Sequence, residues 1–132
     1  MAQRIKVMQI IARMNVGGPA VIVAELMRGL DSSLFEQVLI TGYCDESEAD
    51  YLDEVATDIK ATRIAGLGRS VSPIADFKAF FGLVATIKKF KPDVIHTHTP
   101  ITIGPSTTIA SHQTSVIRCD TGRRSEERRV GK

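Results

Sequence analysis

Apolar residues follow two rhythms along this chain: short continuous runs alternate with stretches in which they recur every three or four positions. Ile5 to Ala12 ("IKVMQIIA") is a near-continuous apolar run, as expected of a strand buried on both faces. The turn-prone "RMNVGGP" follows, and then Ala20, Val23, Ala24, Met27 and Leu30 form one helical stripe with Pro19 suited to the first turn. Phe35 to Tyr43 predicts a second strand. "DESEADYLDEVA" predicts a helix with Ser47 and Asp50 spaced as a capping box. Ala61 to Leu67 predicts a third strand. After the loop "GRSVSP", Ser72–Pro73 opens a helix whose expected inner stripe is Ile74, Phe77, Phe81, Val84 and Ile87. Asp76 in its first turn and Lys88, Lys89 and Lys91 near its end complement the helix dipole, and Pro92 stops it. "DVIHTH" is the fourth strand.

Strand-helix alternation of this kind predicts an α/β fold, a parallel sheet with helices on both faces. Right-handed crossovers lead to the strand order 3-2-1-4, in which strands 1 and 4 are neighbours and the winding reverses between them. Ligands of such sheets bind at the carboxyl ends of the strands at that point. The segments expected there are "NVGGP" after strand 1 and "HTHTP" at the end of strand 4.

Composition narrows the function classes. The 132 residues suffice for one domain or part of one, and 43% hydrophobic with 24% charged residues is ordinary for a globular protein. The net charge of +2 is unevenly placed: Arg118 to Lys132 hold six basic and three acidic residues, leaving 11 basic and 12 acidic for the rest. The body therefore carries no nucleic-acid footprint. Cys44 and Cys119 are too few and too far apart for a disulfide framework or a zinc ribbon, and read as reduced thiols. Charges interrupt the N-terminal apolar run, so it does not read as a signal peptide, and no stretch is long enough to span a membrane. A cytoplasmic location is expected, with attachment to a membrane surface left open.

Two segments carry candidate chemistry. Gly17 and Gly18, after Asn15, precede a helix whose free N–H groups and dipole suit a phosphate or a sugar hydroxyl; a strand-helix turn can equally require glycine for its own sake. Neither a dinucleotide fingerprint nor a P-loop is present. His96 and His98 alternate with Thr97, so both rings face one side of a strand. They read as a ligand pair for a metal, as rings hydrogen-bonded beneath a loop, or as neutral imidazoles that donate to a substrate or move a proton. A metal site is short of ligands, since the third histidine, His112, lies far along the chain and no carboxylate adjoins the pair on its C-terminal side. His98 is expected to be the ring better exposed to the crevice, with His96 supporting it one layer deeper. Arg69, beside Ser70 after strand 3, is either solvated or a receiver for an anionic acceptor group.

Taken together, the first strand running into "NVGGPAVIVAELMRGL", the loop "GLGRSVSPIADFKAF" and "FKPDVIHTHTP" resemble the N-terminal domain of a family 4 glycosyltransferase of the GT-B fold. The matching elements cover residues 5 to about 100, in order. The resemblance implies a Rossmann-like domain and a retaining transfer from a nucleotide-activated sugar, often UDP-linked, to a sugar or lipid-linked acceptor. It also implies that Gly17 and Gly18 lie against the donor diphosphate and the acceptor, and that His98 sits at the reaction centre beside the transferred sugar; Asn15, Arg69 and His96 are read beside them as further substrate-binding residues. No metal ion or other cofactor is implied. Bacterial relatives build envelope polysaccharides, often at the inner membrane face.

The chain also departs from that pattern. Relatives continue after strand 4 with a helix opened by a Lys-Ala-Gly-like segment, whereas Pro100 here leads into "ITIGPSTTIASHQTSVIRCDTGRRSEERRVGK". That stretch shows neither helical stripe nor strand alternation. It resembles out-of-frame or linker-derived translation, with "RSEERRVGK" similar to read-through of adaptor DNA. Residues 1–100 are therefore expected to form a partial GT-B N-terminal domain and 101–132 a poorly ordered, divergent tail that leaves the sheet edge at strand 4 open. The second GT-B domain, which by resemblance holds the nucleotide, is missing, so the chain alone is expected to be inactive. Two other readings remain: a stand-alone flavodoxin-like ligand-binding or regulatory module, and a metal-dependent hydrolase using His96 and His98.

Overall fold

The computed structural model describes residues 3–67, 73–98, 102–103, 107–108 and 115–118. Four parallel strands form the body of a sheet: β1 (Ile5–Ile11), β2 (Phe35–Thr41), β3 (Ala61–Arg63) and β4 (Val94–Thr97), in the order β3-β2-β1-β4. The helices α1 (Gly18–Gly29), α2 (Tyr51–Glu54) and α3 (Pro73–Phe90) connect them in turn. The fold class and strand order thus agree with the hydrophobic rhythm of the sequence. Two further strands, β5 (Thr102–Ile103) and β6 (Thr107–Thr108), pair with each other.

β1 is central, and every residue from Val7 to Ile11 is buried, because side chains from both faces are covered. On one face Ile11 and Leu39 pack with Ala20, Val23 and Ala24 of α1 and with Leu52 and Ala56. On the other, Met8, Ile10, Ile40 and Ile95 pack with Ala79 and Leu83 of α3 and with Ile64 and Leu67. Alternate side chains of one strand thereby feed two cores.

Four local expectations change. The edge at β4 is not open: β7 (Ser115–Arg118) pairs antiparallel with it, from Val94 opposite Arg118 to Thr97 opposite Ser115. α2 is one turn, not a helix over the whole acidic stretch. Asp50 is itself the N-cap, accepting from the Leu52 N–H at 2.9 Å, and the acids before it are taken up by an arginine. Arg13 Nη1 reaches Asp45 at 3.2 Å and Glu48 at 3.0 Å, which holds residues 45–49 as a loop rather than a helical turn. β3 ends at Arg63, beyond which Ile64 and Leu67 turn inward. Lastly, α3 keeps only the end of its expected stripe: Ile87 packs against the core, but Ala79 and Leu83 are the buried residues, while Ile74, Phe77 and Phe81 are exposed at 73%, 66% and 60%. Gly82 explains the choice of face, since a Cβ there would stand 3.3 Å from Ile64 Cγ2. The helix approaches the sheet through its small residues and turns its aromatic side outward.

The strand ends are fixed by backbone contacts. The Gly42 N–H, just past β2, donates to Ala12 O at 2.9 Å, and a Cβ on Gly42 would lie 2.3 Å from Leu67 O and 2.6 Å from Ala12 O. Only glycine fits where three chain segments meet so closely.

Candidate functional site

Parallel pairing of β1 with β4 brings the two chemistry-bearing segments to one edge of the sheet. Gln9 pairs with His96 and Ile10 with Thr97, and the His98 N–H continues the ladder to Ile10 O at 3.0 Å. The "HTH" segment therefore ends beside the strand that runs into the glycine turn. That turn is braced from its other side. Val16 N–H donates to Ala49 O at 3.1 Å, Tyr51 N–H to Met14 O at 2.7 Å, and Asn15 forms an isolated bridge with Asp50. Met14 is fully buried among the α1-side core residues, which roots the loop while Asn15 to Pro19 remain exposed.

Gly17 is the N-cap of α1, with extended backbone (φ 171°, ψ 176°) and no side-chain cap; no acidic residue stands in the first turn. Neither it nor Gly18 adopts the left-handed backbone that favours glycine. A Cβ on Gly17 would come no nearer than 3.9 Å to any atom outside its chain neighbours, and on Gly18 would meet nothing within 4 Å. The fold itself does not require glycine at either position, unlike at Gly42. A bare helix N-terminus with open space before it suits a ligand that approaches the backbone.

The histidine pair is in ring contact, with centroids 4.1 Å apart and planes inclined by 47°. Their exposure is the reverse of the sequence expectation: His98 is buried at 6% and His96 is the partly exposed ring. The cause is Gln9, a buried amide in the middle of β1, whose Oε1 lies 2.8 Å from His98 Nε2. This bond draws His98 against the sheet. Burial, and secondarily the neighbouring His96, lower the His98 pKa to about 4; burial alone lowers that of His96. Both rings are neutral at physiological pH. Among the described residues no group of three His, Cys, Asp or Glu side chains is placed to hold a metal ion.

Gln9 lies inside an apolar run of the sequence, and a single polar residue in a doubly buried strand is the signal that marks it. Its amide donates to Gln37 Oε1 at 3.4 Å, and Gln37 donates to the Met27 and Leu26 carbonyls at 3.2 and 3.4 Å. Of the other residues read from the sequence, Asn15, Gly17, Gly18, His96 and His98 lie at the carboxyl end of β1 and β4, whereas Arg69 and His112 lie outside the described residues. Cys44 is a free thiol whose pKa is raised by burial and, further, by Asp50.

No curated protein and no solved structure gives a significant match to the chain. The family model described as "Glycosyl transferase 4-like domain" matches residues 17–122, beginning at the glycine turn and running past Pro100, further than the motif-by-motif resemblance. With the parallel sheet in the order 3-2-1-4 and the glycine turn at its switch point, the matched span leads to one conclusion: the chain belongs to the glycosyl transferase 4-like domain family, as an N-terminal domain whose chemistry is glycosyl transfer.

Proposed function

We propose that this domain supplies the acceptor side of a retaining transfer from a nucleotide sugar, UDP-linked, to a sugar or lipid-linked acceptor in envelope or polysaccharide biosynthesis. The observation that carries this reading is the meeting of the uncapped α1 N-terminus and the His96–His98 pair at the ends of adjacent strands in a family member. In it, the N–H groups at Gly17 and Gly18 meet the donor diphosphate and the acceptor. His98 stands at the transferred sugar as a neutral ring, with His96 and Asn15 on the substrate-binding surface and Arg69 receiving an anionic part of the acceptor. A neutral imidazole there orients hydroxyls by hydrogen bonding and adds no positive charge to the site. The work is cytoplasmic, with peripheral attachment to the inner membrane face. The exposed apolar ridge of Ile74, Phe77 and Phe81 on α3, with Lys78 beside them, supports that attachment, and no described helix is long and apolar enough to cross a membrane.

The second domain of a GT-B cleft provides the nucleotide site by resemblance, so these 132 residues alone do not activate a donor. Incubating the purified chain with UDP-glucose and measuring UDP release tests this. Release no faster than the uncatalysed background is expected. Catalytic turnover would overturn the half-site reading. The alternative of a flavodoxin-like regulatory module has no separate observation in its favour.

A further inference from the structure

We propose that Gln9 and Gln37 are positioning residues that set the tautomer of His98: a chain of amides rooted on the carbonyls of Leu26 and Met27 holds the ring as its Nε2–H form and leaves Nδ1 as the lone-pair nitrogen. The sheet's register makes this chain possible. Gln9 of β1 pairs with His96 of β4 on one side, and on the other Gln37 of β2 pairs with Val7, two residues before Gln9, so Gln37 lies diagonally across from Gln9 and all three share the α1-facing side. His98, two residues on from His96, lies on the same face.

The polarity follows from the end of the chain that has no choice. A main-chain carbonyl only accepts, so the Gln37 atom that lies 3.2 Å from Met27 O and 3.4 Å from Leu26 O is its NH₂ group. Gln37 Oε1 is then turned to Gln9 and receives the Gln9 NH₂ at 3.4 Å. Gln9 Oε1 is in turn committed to His98 Nε2 at 2.8 Å, and an amide oxygen cannot donate, so the ring nitrogen carries the hydrogen. Inverting either amide would set oxygen against oxygen inside a sheet where Gln9 is 1% exposed. The last turn of α1 thus dictates which nitrogen of a ring two strands away bears the proton.

One consequence concerns ligand chemistry, and it rests on His98 being the site residue proposed above. With its single N–H bound to Gln9, the neutral ring offers a ligand an acceptor only. It suits a sugar hydroxyl that donates, and does not suit a phosphate oxygen, which also accepts.

The test uses the full 132-residue chain labelled with ¹⁵N-histidine, with long-range ¹H–¹⁵N correlation spectra at neutral pH. His98 is assigned by the signals lost in His98→Gln. A pyrrole-type Nε2 and a pyridine-type Nδ1 are expected for His98 in the wild type. Gln37→Met keeps the side-chain length but leaves Gln9 free to turn over, and an Nδ1–H population is expected to rise several-fold. Gln9→Met, a second route if Gln37→Met does not fold, should relax the ratio toward that of free histidine. A wild-type His98 protonated on Nδ1 overturns the proposal. So does a ratio unchanged in both methionine variants while their amide spectra remain native. Because no substrate is present, failure here is distinct from failure of UDP-glucose to perturb the site, which bears on the proposed function instead.

Discussion

Burial against Gln9, with the His96 ring beside it, holds the His98 pKa at about 4, and this ties the stability of the domain to pH. The unfolded ring titrates near 6.5, so above that value neither state is protonated and the native fold keeps its full stability. As pH falls from 6.5 toward about 4, the unfolded chain takes up a proton that the native ring refuses. Stability declines across that window by up to roughly 3 kcal/mol, and below it the loss is constant. Urea midpoints measured through this range should show the decline in the wild type and a shallower one in His98→Gln; equal slopes would contradict the burial of the ring. The glycines divide in the same way by physical cause. Gly42→Ala drives a methyl into the carbonyls of Leu67 and Ala12 and should cost about 1–3 kcal/mol or more. Gly18→Ala, on a helical residue with open space around it, should keep or slightly raise the denaturation midpoint. If it also weakens binding of a UDP-sugar, the need for glycine there lies with the ligand and not with the fold. At this scale the sequence displayed the histidine pair and the glycine turn plainly, but not which ring is buried. That depends on Gln9, whose partner lies 89 positions away.

Among the elements, those with one apolar face and a clear cap are the ones whose pattern was legible. α1 buries Ala20, Val23 and Ala24 as its stripe predicts, and β1 is buried on both faces as a continuous run predicts. α3 misleads because it carries two apolar faces. The aromatic face at Ile74, Phe77 and Phe81 has the stronger helical period, yet close approach at Gly82 selects the smaller face of Ala79 and Leu83. Leu83→Ala should therefore cost about 2–5 kcal/mol, as for a buried leucine, whereas Phe81→Ala should stay within about 0.5 kcal/mol. Chemical denaturation of the two variants decides between the faces; the opposite ranking would restore the stripe read from the sequence. α2 is shorter than its local pattern predicts for another reason. Helix propensity and capping patterns are local, while the acids at 45 and 48 are held by Arg13, more than 30 positions earlier in the chain.

For the molecule as a whole, order and spacing of βα units made the sheet legible, because right-handed crossovers leave few ways to arrange four such units. The edge beyond β4 was not legible. "SVIR" carries no alternation long enough to announce a strand, and only the unpaired side of β4 gives it a place to bond. The family match from residue 17 to residue 122 spans that added strand, whereas β1 lies before its first residue. The central claim is that sugar-transfer chemistry gathers where β1 and β4 end, at the α1 N-terminus and the histidine pair. An amide ¹H–¹⁵N titration of the full chain with UDP-glucose tests it most directly. Saturable shifts confined to Gly17, Gly18, Ala20, His96 and His98 are the predicted result, and these should be lost in His98→Ala with the rest of the spectrum unchanged. Shifts centred elsewhere, on the outer face of α3 for example, or none at any concentration up to the solubility limit, would contradict it.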